Sequence, residues 1–376
     1  MDASTETRLL DDYRQLLEQR GLTEELARRA PESAPKVRDF IDQMRATAAA
    51  EGATVSLADF LREEDLMEAA PDEGVLQPVL DGLATEVTLA LSKMGFDRPS
   101  DILVRQYPTG SMNAQACRVP AGHLLLINSG LMMFIYQAAK IISFSMRFTD
   151  YDSQGNLVEM EELGTPQYSM VEIEAAFAEV VLSYVLRRDT RWAKQYPAQG
   201  GPRALMMWMT VHAAEFFVVA HELAHVVLGH LESPNALHDE TRLDSGWARW
   251  IEKSLGQEFE ADSVAVRLLI TNLGLRINDP LAAIRPTVVM SGPMLFFALD
   301  ELVTRVRRAL DEPASTTPMS THPSSPERSA ALRRAITDVD IPDLLDVADV
   351  YASWVQEKGD RVMDRIVALL QARDNE

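Results

Sequence analysis

The sequence predicts an α+β protein that is mainly α-helical with a small β-sheet, and three observations carry the prediction. Apolar residues recur at three- and four-residue spacing over long stretches. Two short apolar runs, 102–104 and 124–127, are bounded by Pro, Gly and Asn, as strands are. Helical patterns then dominate the remainder, at 130–146, 170–188, 203–231, 257–273 and 286–310.

Taken in order, residues 1 to about 95 read as helices through Leu9, Leu10, Leu16 and Leu17 and later Leu80, Leu83, Val87 and Leu91. Breaks fall near Pro31 and Pro35 and again near Pro71 and Pro78. The stretch 118–140 holds no acidic residue, Lys or Arg between its ends, which is long enough to suggest a bilayer span. Pro120, Gly122, His123 and the Asn128–Ser129–Gly130 break divide it instead into a strand, a turn and a buried helix. The stretch 203–231 is apolar enough to be a buried central helix. Gly292 and Pro293 interrupt the helix at 286–310, PASTTPMSTHPSSPER (313–328) reads as a loop, and 343–372 is an amphipathic helix.

Composition removes some function classes. The net charge of −21 argues against nucleic acid, whose phosphates are bound by clustered Lys and Arg, and disfavours an anionic membrane. The single cysteine, Cys117, rules out an intramolecular disulfide framework and fits a reducing compartment. MDASTETRLLDDYRQLLEQRG has no basic stretch followed by an apolar run, so no signal peptide is read and a cytoplasmic location is expected.

HELAHVVLGH, 221–230, is the chemical centre of the sequence. Residues four apart on a helix lie about 40° from each other around the axis, one turn up. His221 and His225 can therefore present imidazoles to one ion, with Glu222 beside them to take a proton from the attacking water. Chance produces such a spacing in roughly one sequence in a hundred of this composition, so the surroundings decide. Zinc needs a third protein ligand, and QEFEADSVAV supplies Glu258 with Asp262 one turn on. Alone this pair reads as a solvated acidic face. Beside HELAH it reads as a carboxylate ligand followed by an aspartate that orients a ligating imidazole, the gluzincin arrangement.

HELAHVVLGH, EFEAD and STHPSSPER, in that order, resemble three signatures of the CaaX-type prenyl-protein endopeptidase family of zinc metallopeptidases. NAQACRVPAGHLLLINSGLM resembles a fourth, the family's edge strand. The resemblance implies a zincin-like metallopeptidase core binding one Zn2+ per chain through His221, His225 and Glu258. It implies Glu222 as general base and Asp262 as the residue that orients a histidine ligand. It also sets His322 and Arg328 over the metal from a mobile loop. Arg328 would stabilise the oxyanion, and His322 would do the same or cap the zinc as a fourth ligand and hold the enzyme latent. The edge strand, Leu124, Leu125, Leu126 and Ile127, would bind an extended substrate by strand addition. The family's membrane helices have no counterpart, Ala121 replaces a usual glycine, and 136–205 is longer than the compact core needs.

Four further signals are weaker. His230, five residues after His225, points away from the ligand face on a continuous helix and suits a supporting or buried role; His212 reads as structural. Cys117 reads as a small buried residue rather than a thiolate near zinc. DYDSQGNLVEME, 150–161, has the acidic spacing of a Ca2+ loop with Gln154 out of pattern, and reads better as a hairpin. The expected organisation is an N-terminal helical region at 1–95, a zinc metallopeptidase domain at 96–336 with an insertion at about 136–205, and a helical tail at 337–376. The expected function is zinc-dependent endopeptidase action on a protein or peptide substrate, held latent until triggered. The alternative is a catalytically silent zinc-bound regulatory or scaffolding protein. No nucleic-acid or membrane partner is expected, and oligomeric state is not legible.

Overall fold

The structure, a computed structural model, describes residues 2–25, 76–97, 101–146, 149–151, 157–159, 168–196, 201–232, 237–274, 285–310, 323–337 and 348–373. Its elements run α1 (Ala3–Gln19), α2 (Gln77–Lys93), β1 (Ile102–Tyr107), β2 (Ala114–Val119), β3 (Gly122–Asn128), α3 (Ser129–Ser143), β4 (Thr149–Tyr151), β5 (Leu157–Glu159) and α4 (Met170–Arg187). They continue with α5 (Gly201–Val227), β6 (Leu237–Arg242), β7 (Trp247–Ile251), α6 (Leu255–Gly274), α7 (Arg285–Ala309), α8 (Ser325–Thr337) and α9 (Val350–Arg373). The chain is mainly helical, with a five-stranded mixed sheet in the order β1-β3-β2-β7-β6 and a separate two-stranded hairpin, β4-β5.

Leu124–Leu125–Leu126–Ile127 shows why both faces of the sheet are covered. Successive strand residues point to opposite faces. Leu124 and Leu126 join Leu103, Cys117, Val119 and Trp250 in a cluster under α1. Leu125 and Ile127 join Ala114, Ala116 and the helices of the larger core. An unbroken apolar run is the pattern of a strand buried on both sides. The same run overturns its assignment as the substrate-binding edge. β3 pairs with β1 in parallel and with β2 antiparallel along its length, and all four residues are fully buried. It has no free edge to offer.

The N-terminal helices close the sheet. α1 is capped by Asp2 and lays Leu9, Tyr13, Leu16 and Leu17 on the strands. The Asp12 carboxylate accepts from Ala121 N and Ser245 Oγ, and the Tyr13 hydroxyl donates to Gln106 O at 2.6 Å. Gln77 of α2 imitates a neighbouring strand on β1, donating to Val104 O and accepting from Gln106 N, both at 3.0 Å, which protects that edge. α2 and α9 both bury apolar side chains in the larger core, so these two helices pack on the body that holds the chemistry.

α5 is the central helix. It is the one described helix long and apolar enough to cross a membrane, over Arg203–Val227, and most of that stretch is buried against other parts of the protein. α7 lies along it without the break expected at Gly292–Pro293; Pro293 sits inside a continuous helix. A β-carbon on Gly292 would stand 2.4 Å from Ala214 N, so glycine is what allows the two backbones to approach. The segment read as either a calcium loop or a hairpin pairs as a hairpin, Thr149↔Glu159 to Tyr151↔Leu157. Asp152, Gln154, Gly155 and Glu161 of the calcium reading lie outside the described residues.

Candidate metal centre

Three elements converge on one point. α5 delivers His221, Glu222 and His225 from its last two turns. α6 opens with a capping box: Ser254 N donates to Gln257 Oε1 at 2.8 Å and Gln257 N to Ser254 Oγ at 3.3 Å, which places Glu258 in the first turn. α8 opens with a second box, in which Glu327 Oε2 accepts from Ser324 N at 2.9 Å and from Ser324 Oγ at 2.7 Å, which presents Arg328. Arg328 is therefore on a helix rather than on the loop expected from STHPSSPER. His322 lies outside the described residues.

His221 Nε2 and His225 Nε2 are 3.0 Å apart, and Glu258 lies 3.4 Å from the first through Oε2 and 3.6 Å from the second through Oε1. All three residues are buried. Ligand bonds of roughly 2.0–2.2 Å in a tetrahedron put donor atoms about 3.3–3.6 Å apart, so this group could hold a metal ion.

Each imidazole is held from behind. His221 Nδ1 is 2.9 Å from Asp262 Oδ1, which keeps the proton on Nδ1 and turns the Nε2 lone pair to the centre. Arg328 grips the same carboxylate with Nε on Oδ2 at 2.8 Å and Nη2 on Oδ1 at 2.6 Å, and its guanidinium lies 5.0 Å above the Phe297 ring of α7. Two guanidinium nitrogens are thus committed to Asp262, while the third, Nη1, lies 3.7 Å from Glu258 Oε2, so Arg328 supports the carboxylate that orients His221 and also reaches the ligand cluster.

His225 Nδ1 meets His230 Nδ1 at 2.9 Å, and His230 Nε2 meets Glu260 Oε2 at 3.2 Å. One proton arrangement satisfies the chain: His225 Nδ1–H donates to His230, and His230 Nε2–H donates to Glu260. On a helix continued past Val227, His230 would face away. The helix instead ends at Val227, and Gly229, at φ +72°, turns the chain so that His230 folds back over His225.

Electrostatics follow from burial and these pairs. Burial opposes charging His221, but the hydrogen bonds to Asp262 and Glu258 outweigh it and lift its pKa to about 9. Burial, then the neighbouring His221 charge, hold His225 far below the ordinary imidazole range. Burial alone would raise Asp262, yet Arg328 and His221 keep it below its usual value. A cavity this rich in negative charge retains a proton on one imidazole, and a divalent cation competes for the same position.

The centre opens into a cleft of about 680 Å³. One wall is β2 and its approach, Asn113 to Ala116; another is the end of β7 with the two residues after it, Trp250 to Lys253. β2 pairs with β7 at Arg118↔Arg249, and beyond that point the two strands both line the cleft. The strand edge facing the site is therefore on β2, in the NAQA part of the motif, and not in the 124–127 run. Lys253 Nζ, 3.3 Å from Glu222 Oε2, is a site residue that carried no sequence motif. Cys117 is fully buried between β-strands and α1, and burial pushes its thiol up to about 12, which leaves it inert. His212 pairs with Glu86 at 3.3 Å and, with Asn272 donating to Glu86 at 2.9 Å, ties α5, α2 and α6 together.

The sequence expectations are thus brought together at His221, Glu222, His225, Glu258, Asp262 and Arg328, and separated at Leu124, Leu125, Leu126 and Ile127. No family model, curated protein or solved structure matches this chain.

Proposed function

We infer that the protein is a zinc-dependent endopeptidase with a zincin-like core, of the kind found in the CaaX-type prenyl-protein endopeptidase family, acting in the cytoplasm on a protein substrate. The observation that carries this reading is Glu222, a carboxylate on the cleft wall one residue from a ligand candidate. A purely structural metal needs no base beside it. Two imidazoles and a carboxylate form a donor set that suits zinc, and three protein ligands leave a coordination position for chemistry. Zinc held there would supply Lewis-acid activation of water and of the scissile carbonyl.

The chain's own residues do the rest. Glu222 accepts the proton of the attacking water and delivers it to the departing amine. Asp262 with Arg328, and His230 with Glu260, fix the tautomers and orientation of the two imidazoles. An extended substrate adds to the β2 edge at Asn113 to Ala116, across the cleft from α7 and α8. His322 enters only through the latency expected from the sequence, and His322→Ala would raise cleavage if it restrains the enzyme.

The test is Glu222→Gln beside wild type on a denatured protein substrate, with zinc loading checked in both. Cleavage by wild type and its loss in the zinc-loaded variant support the peptidase. Zinc bound in both with cleavage in neither, and none gained on His322→Ala, supports the scaffolding alternative.

A further inference from the structure

Three basic side chains line the cleft, and they are not equivalent. Arg308 is exposed. Arg328 is spent on Asp262 through two nitrogens. Lys253 is buried at 9 % exposure, with its ammonium 3.3 Å from Glu222 Oε2. Its backbone is fixed on both sides: it follows the end of β7 at Ile251 and immediately precedes Ser254, which caps α6 through Gln257. The same capped turn carries Glu258, so one helix start sets Lys253 and a ligand candidate together.

A buried ion pair is weak evidence for stability, because desolvating both charges offsets most of their attraction. Lysine offers three N–H donors on a flexible stem, and among the described residues its one hydrogen bond is to Glu222. Peptide hydrolysis needs positive charge where the carbonyl oxygen becomes an oxyanion, and such charge acts most strongly in a cleft that excludes water. Arg328 has two nitrogens held on Asp262 and its third, Nη1, 3.7 Å from Glu258 Oε2, whereas the Lys253 ammonium stands beside the base.

Resting on the peptidase reading, we propose that Lys253 is the cationic catalytic residue of this site. Its ammonium donates to the scissile carbonyl oxygen as charge develops there, while its contact with Glu222 aligns the base in the resting cleft.

The experiment compares zinc-loaded wild type with Lys253→Met, using zinc stoichiometry and circular dichroism as folding controls. Two quantities are read: kcat on denatured casein, and the Kd of an all-alanine phosphinic tetrapeptide beside its ordinary peptide parent. The phosphinate carries the tetrahedral geometry and charge of the oxyanion. The expected result is a fall in kcat of about 10²- to 10³-fold with KM nearly unchanged, and a comparable loss of phosphinate affinity while parent-peptide affinity stays. Unchanged phosphinate affinity, or unchanged kcat, overturns the proposal. A raised kcat also overturns it, and identifies Lys253 as a restraint on Glu222. Wild-type protein that holds zinc but neither cleaves casein nor prefers the phosphinate, with neither property gained on His322→Ala, refutes the peptidase reading itself, a result separate from any effect of the Lys253 variant. If Lys253→Met does not fold, Lys253→Gln keeps the length and removes the charge, and the same outcomes apply to it.

Discussion

Alanine at Gly292 and alanine at Gly359 change stability in opposite directions, although both positions lie inside helices. Glycine to alanine in a helix interior gains about 1 kcal/mol from propensity and from a less free unfolded chain. At Gly359 in α9 the new β-carbon would meet Leu302 Cδ1 at 3.5 Å and Arg305 Nη1 at 3.7 Å, ordinary contacts, so the gain is kept. At Gly292 in α7 it would meet Ala214 N at 2.4 Å and the carbonyl carbon and Cβ of Ala213 at 2.7 Å. Those atoms belong to the backbone and shortest side chain of α5, so nothing flexible can give way. The helices must separate by roughly 1 Å, and a gap of that size forfeits a quarter to a half of each facing dispersion contact. Overpacking of this kind costs about 1–3 kcal/mol, and the rigid contact places it at the upper end. Net of propensity, Gly292→Ala loses about 2 kcal/mol and Gly359→Ala gains roughly 0.5–1 kcal/mol. Urea unfolding followed by far-ultraviolet circular dichroism measures both midpoints. An unchanged or raised midpoint for Gly292→Ala would refute the close-packed contact between α7 and α5, the helix that carries His221 and His225.

Other predictions follow from single residues. Asp262→Asn weakens the orientation of His221 and strands Arg328, so zinc affinity falls by 10- to 100-fold in a competition titration with a chromogenic chelator. Burial pushes the Glu215 carboxyl up to about 8. The folded state therefore keeps its proton between pH 4.5 and 8 while the unfolded chain loses it, so stability declines as pH rises through that window and levels off above it. Glu215→Gln removes this slope, stabilising the protein at pH 8 more than at pH 5 by on the order of 3 kcal/mol, measured as urea midpoints at the two values. Cys117 stays unreactive towards a disulfide thiol reagent in native protein and reacts once urea unfolds the chain; fast native labelling would contradict its burial.

Much of the centre was legible because its spacing is helical. His221, His225, Glu258 and Asp262 are fixed by two i, i+4 pairs, and any amphipathic helix carrying them presents them on one face. The long helices were legible for the same reason. The remaining parts depend on tertiary contacts or on weaker local signals. The run Leu124–Ile127 has no polar alternation, which already marks a strand buried on both faces and argues against an edge. Ser324–Ser325–Pro326–Glu327 is a capping-box spacing, so the helix that carries Arg328 was written inside a stretch read by its Pro and Ser content as a loop. Gly229 marked the helix end that brings His230 back. β7 alternates exposed and buried residues across Trp247–Ile251, a five-residue pattern too short to separate from the charged stretch around it. Lys253 had no sequence signal, because its partner Glu222 is 31 residues away and only the fold brings them together.

The most direct test of the account is the zinc content of purified protein, by elemental analysis after saturation and removal of loosely bound metal. Wild type should hold one zinc per chain, and His225→Ala and Glu258→Ala, each shown to be folded, should hold close to none. A folded wild-type protein that retains no metal under these conditions would contradict the assignment of His221, His225 and Glu258 as a metal centre.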